Sequence, residues 1–318
     1  MHLVQTMAYA GETPWHGLGN RLLPGQPIEV WAKQAGMDWH VEASEVRYVA
    51  GKGSVDSIHD YPGQQVLYRS DTKMPLSVVS SRYKVVQPGE VLEFYRDLTK
   101  DSGFELETAG VLREGRKFWA LARTGQSATL KGVDRVDGYL LLATACDGTL
   151  ATTAQFTSVR VVCNNTLAVA LRNASGAVKV HHRCEFDAAA VKRQLGITVA
   201  AWDGFVDRMK ALVECPVDPD SVDGLLRRVL TYQVQEGRAS VVSEQALANV
   251  RVLYEGSGRG AQLISSRGTA WGLLNSVTEH VDFHRRARSN DHRRDAAWFG
   301  QGAQIKQRAW DEVMKLMD

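Results

Sequence analysis

No aspartate or glutamate occurs between Gly148 and Cys184, although 36 acids in 318 residues would place about four in a stretch this long. Cysteine is also scarce. The four thiols, Cys146, Cys163, Cys184 and Cys215, include no CxxC pair, which excludes a cysteine zinc module or a disulfide scaffold and fits reduced thiols in a cytoplasmic protein. The strongest apolar runs, such as YLLLATA at 139–145, fall far short of the ~20 residues of a membrane helix, so no membrane partner is expected. MHLVQTMAYAGETPW has no basic start followed by an apolar run, and no signal peptide is read there. Serine elbow, Rossmann fingerprint and suggestively spaced catalytic carboxylates are all missing. GSGRG at 256–260 lacks the closing lysine and hydroxyl residue of a phosphate-binding loop, and reads as a linker or lid. The net charge of +2 names no partner by itself; only its distribution can.

That distribution is informative. The acid-free segment carries Arg160, Arg172, Lys179, His181, His182 and Arg183 among many Thr, Ser, Asn and Gln. Such side chains contact phosphates, and Phe156 offers a ring on which a base can stack. Arg82 and Lys84 alternate with Tyr83 and Val85 in LSVVSSRYKVV, and Arg116-Lys117 stands beside Phe118 and Trp119. Residues 285–294, RRARSNDHRR, hold five arginines against one aspartate and begin with Arg285 and Arg286. Arginine clusters bind phosphate bidentately; solvated faces and subunit contacts use them as well. His280 and His284 lie four apart on a helical pattern. HxxxH alone is a weak metal motif, so no metal or other cofactor is expected, and no catalytic residue is assigned.

The pattern of elements predicts an α+β chain. Residues 1–75 read as an N-terminal arm with a small β/α cap, broken by Pro14, Pro24, Pro27 and several glycines. Residues 76–184 read as the core: an extended segment, an amphipathic helix over 88–100 with the stripe Val91, Phe94, Tyr95, Leu98, then strands joined by hairpins at Glu114-Gly115 and Asp147-Gly148. The expectation is a curved antiparallel sheet packed against helices. Cys163-Asn164-Asn165 reads as the start of a further helix. Residues 185–318 read as a mainly helical C-terminal region.

Five segments carry a family likeness: ETPWHGLG at 12–19, SRYKVVQPGEVLEFYRDL at 81–98, GFELETAG at 103–110, TTAQFTSVRVVCNNTLAVAL at 152–171 and TAWGLLNSVTEHVD at 269–282. They resemble the phage/plasmid-like protein family, whose core is a domain of unknown function, number 932. The resemblance implies a mobile-element or prophage setting and no established activity. Tyr83-Lys84, the following helix and Gly103-Phe104-Glu105-Leu106 are in addition distantly similar to the opening of the core in phage single-strand annealing proteins. Those proteins form rings or filaments and hold single-stranded DNA in a basic groove, which implies an annealing-protein-like core here.

The leading expectation is a non-enzymatic homo-oligomer, ring or helical filament, that binds and anneals single-stranded DNA. One alternative is a metal-dependent nuclease or DNA-modifying enzyme built around Asn164-Asn165, His181 and His280-His284. It would need Asp137, Asp147 or Asp187 to converge on the ion. The other is an anti-defence or protein-interaction module whose basic face meets an acidic partner.

Overall fold

The computed structural model describes residues 4–11, 19–50, 58–160, 165–168, 177–199, 201–231 and 242–317. Two antiparallel strands organise it, β7 (Lys117–Leu130) and β8 (Asp134–Ala145). Period-two alternation sends Phe118, Ala120, Ala122, Leu140 and Leu142 into one apolar cluster, while Trp119, Leu121, Tyr139, Leu141 and Ala143 enter another. The run YLLLATA is apolar throughout because both of its faces are covered.

The large sheet grows outward from this pair. β6 (Glu105–Leu112) pairs with β7, and β1 (Val4–Ala10) pairs with β6. β2 (Asn20–Leu22) runs parallel to β1 at that edge. On the other side β9 (Thr152–Arg160) pairs with β8, and its outer edge is shared by β10 (Asn165–Ala168) and β11 (Ala177–Val180). Close approach of β1 to β6 requires a glycine: a Cβ on Gly110 would lie 2.4 Å from the Trp119 ring and 2.7 Å from the Met7 Cβ. A second sheet contains β3 (Val41–Val49), β4 (Ile58–Arg69) and β5 (Pro75–Ser80).

The expectation of one curved antiparallel sheet is therefore overturned. The described residues build two separate sheets, both open in strand order, and the larger one is mixed because β1 and β2 are parallel. The annealing-protein-like core expected from the distant likeness does not form. Strand patterns do not reveal which edge a distant strand will take, and here the N-terminal β1 takes the free edge of β6. A second correction concerns Asn165–Ala168, which is a strand against Thr157–Arg160; the open edge of β9 overrides its helical propensity. The stripe over 88–100 also divides, into α2 (Pro88–Glu93) and α3 (Arg96–Asp101). Pro88 opens α2, and Gln87 with Glu90 forms a reciprocal capping box.

Helices pack on this frame. α1 (Ile28–Gln34) contributes Trp31 and α2 contributes Val91 and Leu92 to the main cluster. The C-terminal helices are α4 (Ala188–Val199), α5 (Ala201–Glu214), α6 (Pro219–Leu230), α7 (Glu244–Val252), α8 (Ala270–Glu279), α9 (Asn290–Phe299) and α10 (Gln301–Met314). In α6, Asp218 caps the Asp220 amide, and Val222, Leu225, Leu226, Val229 and Leu230 form the buried stripe. One apolar cluster runs from Ala8 to Val313.

Polar clamps tie the helices to the sheet. Asp134, fully buried in β8, accepts hydrogen bonds from Ser265 Oγ (2.7 Å) and Trp271 Nε1 (3.0 Å). Lys117 on β7 and Arg113 both pair with Asp295 of α9. Tyr95, wholly enclosed between α2 and α3, places its hydroxyl 2.8 Å from Ala120 O and 3.0 Å from Leu140 O. Tyr95→Phe keeps the packing and removes that donor, so it should lower unfolding free energy by about 1 kcal/mol. Urea denaturation with an unchanged m-value checks this; no shift in midpoint would show that the hydroxyl adds nothing.

Candidate functional site

Two segments almost one hundred residues apart meet beside the β8–β9 loop. One leaves β5 and runs through Arg82, Tyr83 and Lys84; the other leaves β11 and runs through His181, His182 and Arg183. The Lys84 amide donates to His182 O at 2.7 Å. The His182 ring stacks on Tyr83 with centroids 4.4 Å apart. Its Nδ1 lies 3.0 Å from Lys84 O and its Nε2 lies 2.9 Å from Leu150 O. Tyr83 completes the junction by donating its hydroxyl to Ala145 O at 2.8 Å, while Ser77 Oγ donates to Cys146 O at 2.6 Å.

The result is a fixed platform with charge on its outside. Arg82, Lys84, Lys179, His181 and Arg183 are exposed, and so is Arg116, whose carbonyl accepts from the Cys146 amide. Lys84 pairs with the largely exposed Glu185 at 2.9 Å, a contact worth little in water. Arg82, Arg116, Lys179 and Arg183 form no ion pair among the described residues. Lys179 stands on β11 opposite Thr153.

The remaining expected contacts fall elsewhere. Lys117 is buried against Asp295 and lies over the Phe299 ring, and Phe156 is buried in the main cluster. Both hold the fold together. Arg285 donates to Gln301 and its carbonyl accepts from Arg293, so Arg285 and the exposed Arg286 form a second patch attached to α9 and α10. Arg160 is described by its backbone, which pairs with Val136 and Asn165. Arg172, Cys163 and Asn164 lie outside the described residues.

A model of the family described as a domain of unknown function (DUF932) matches residues 75–298, well over half of the chain and the whole span from β5 into α9. The chain belongs to that family. No curated protein and no solved structure matches it. The DUF932 match includes both sides of the junction, and β1 to β4 precede it.

The carboxylates of the enzyme alternative are separately engaged. Asp137 pairs with Arg135, Asp147 binds the Thr149 amide, and Asp187 binds the Ala190 amide at the start of α4. Among the described residues no three His, Cys, Asp or Glu side chains gather into a metal-binding group. His280 is buried and His284 instead approaches Glu279 at 3.6 Å. No helix among the described residues is long and apolar enough to cross a membrane. Sequence reasoning missed Ser77 and the Tyr83 hydroxyl, because their partners are main-chain oxygens distant in the chain, Cys146 O in the β8–β9 loop and Ala145 O at the end of β8.

Two predictions test this geometry. Burial, reinforced by the Asp147 charge, pushes the Cys146 thiol up to about 12, so it stays a thiol at pH 8 and resists alkylation. Cys184 is exposed. Brief iodoacetamide treatment followed by peptide mass spectrometry should modify Cys184 long before Cys146; equal rates would mean that the loop opens readily. Burial, with His284 and Arg285 nearby, lowers His280 to about 4. The unfolded chain then takes up a proton that the native state refuses between about pH 6.5 and 4, and stability falls as pH falls through that window. His280→Phe should flatten this part of the stability–pH curve, and unchanged slopes would refute the assignment.

Proposed function

We propose that this chain is a non-enzymatic single-stranded DNA-binding protein that takes the strand backbone across the Arg82–Lys84/His181–Arg183 junction. The observation that carries the reading is the convergence of two distant basic segments on one loop, their backbones locked and their cationic ends in solvent. Such a face attracts phosphates by counterion release without regard to sequence. Arg116 and Lys179 extend it. The absence of acids from 148 to 184 leaves the positive field there with little to cancel it.

The fuller form of the reading is strand annealing by a homo-oligomer encoded on a phage or plasmid. The β3–β4 ribbon supports the oligomer. Its far end exposes Tyr48, Val49, Ile58 and Tyr61, with Tyr48 stacked on His59. Exposed apolar groups gathered this way mark protein contacts. Among the described residues at that end the charges are Arg47, Glu45 and Asp60, with Arg47 pairing both acids. The ribbon is thus unsuited to a polyanion and suited to a second copy of the chain.

Fluorescence anisotropy with a labelled single strand, in protein freed of nucleic acid, tests the binding. Affinity should fall as salt rises and exceed that for duplex. Arg82→Glu with Arg183→Glu should weaken binding at least tenfold and flatten the salt dependence by about one to two units. Unchanged affinity in that double variant would place any DNA elsewhere. Mass photometry should find oligomers that Tyr48→Ser with Tyr61→Ser dissociates; a persistent wild-type monomer, with and without DNA, would reject annealing.

A further inference from the structure

A cleft of about 360 Å³ opens between the large sheet and helices α3 and α4, within the size range of small-molecule sites. Its walls are Leu98, Leu140, Leu195 and the rings of Phe104 and Phe156, and its polar groups are Ser102, Thr124, Gln126 and Lys192. Backbone irregularity is concentrated on the Thr124–Gln126 wall. Between the pairs Arg123↔Tyr139 and Ser127↔Asp137, β7 spends three residues where β8 spends one. Gly125 accommodates the resulting bulge at φ +79°. Thr124 pins it, donating to Gly138 O at 3.0 Å and accepting from the Gln126 amide at 3.3 Å.

The bulge leaves the half-buried Gln126 side chain at the cleft with no partner among the described residues. A primary amide donates and accepts side by side, which matches the edge of a nucleobase. The half-buried Phe104 ring and the leucines suit its flat faces. Lys192 stands at the same cleft, 3.2 Å from Asp97. The Lys192 side chain is mostly buried, with its ammonium 5.2 Å from the centre of the Phe94 ring, but its carboxylate partner is largely exposed and can turn to water when a phosphate takes its place.

We infer that the cleft under α3 and α4 binds a nucleobase bearing a phosphate, with Gln126 reading the base edge and Lys192 meeting the phosphate. Two sources share this chemistry: a free nucleotide, and an unpaired base of the bound strand. Only the second rests on the strand-binding reading.

The test titrates thymidine and adenosine 5′-monophosphates, with ribose 5-phosphate as the baseless control, against wild type, Ser102→Trp and Gln126→Leu. Ser102 is exposed, so a tryptophan there fills the cleft from outside, and circular dichroism confirms each fold. A second arm compares oligothymidylate with an abasic strand of equal length. For a free nucleotide, the monophosphates should bind at least about tenfold better than ribose 5-phosphate, and both variants should lose that margin. For a strand base, oligothymidylate should exceed the abasic strand in wild type and not in Ser102→Trp. Failure of both strands to bind while monophosphate binding persists would sink the strand-binding reading and leave the cleft standing. No preference for a base in either arm, or a preference that Ser102→Trp leaves intact, overturns the inference.

Discussion

Burial of β7 and β8 on both faces is the constraint from which the rest of the structure follows. A strand pair with water on one side needs one apolar cover; this pair needs two. One face is covered by the main cluster, to which helices α1, α2, α5, α6, α8 and α10 contribute. The other face is smaller, and Leu112 and Met7 join it with Trp298 and Phe299 packed against it. Strands β6 and β1 on one flank and β9 on the other extend the pair, and Gly110 permits the tight approach of β1 that the Trp119 ring demands.

Apolar cover is non-directional, so it does not by itself fix which helix lies where. The buried polar clamps do. Asp134 satisfies its carboxylate with Ser265 and Trp271, which sets the loop before α8 and α8 itself against the end of β8. Asp295 holds Lys117 and Arg113 at the β6–β7 hairpin and so fixes α9 on the second face. Removing one partner of such a buried pair leaves an uncompensated charge, which makes the docking specific whatever its net contribution to stability.

Function, as proposed, uses what this frame leaves free. Tyr83 and His182 spend their hydrogen bonds on backbone oxygens, Ala145 O at the end of β8, Leu150 O in the β8–β9 loop and Lys84 O, and the cations beside them remain in solvent. The cleft under α3 and α4 follows the same logic, since Thr124 is consumed in holding a bulge while the Gln126 side chain has no partner among the described residues. In both places rigid main-chain contacts position side chains, those of Arg82, Arg183 and Gln126, that have no partner among the described residues.

Local sequence determined much of the secondary structure. The strands β7 and β8, the Glu114-Gly115 hairpin, the Pro88 helix start with its Glu90 partner, and the helix α6 are each legible because the deciding residues are neighbours in the chain. The acid-free stretch and the basic character of 82–84 and 181–183 were equally plain. Tertiary structure decided what depends on partners far away. It made Asn165–Ala168 a strand by offering it the edge of β9, divided the sheet in two, and separated exposed Arg82 and Arg183 from buried Lys117 and Phe156. A lysine in a chain of letters carries a charge either way; whether that charge faces water or Asp295 is settled only when α9, 178 residues later, packs against the hairpin.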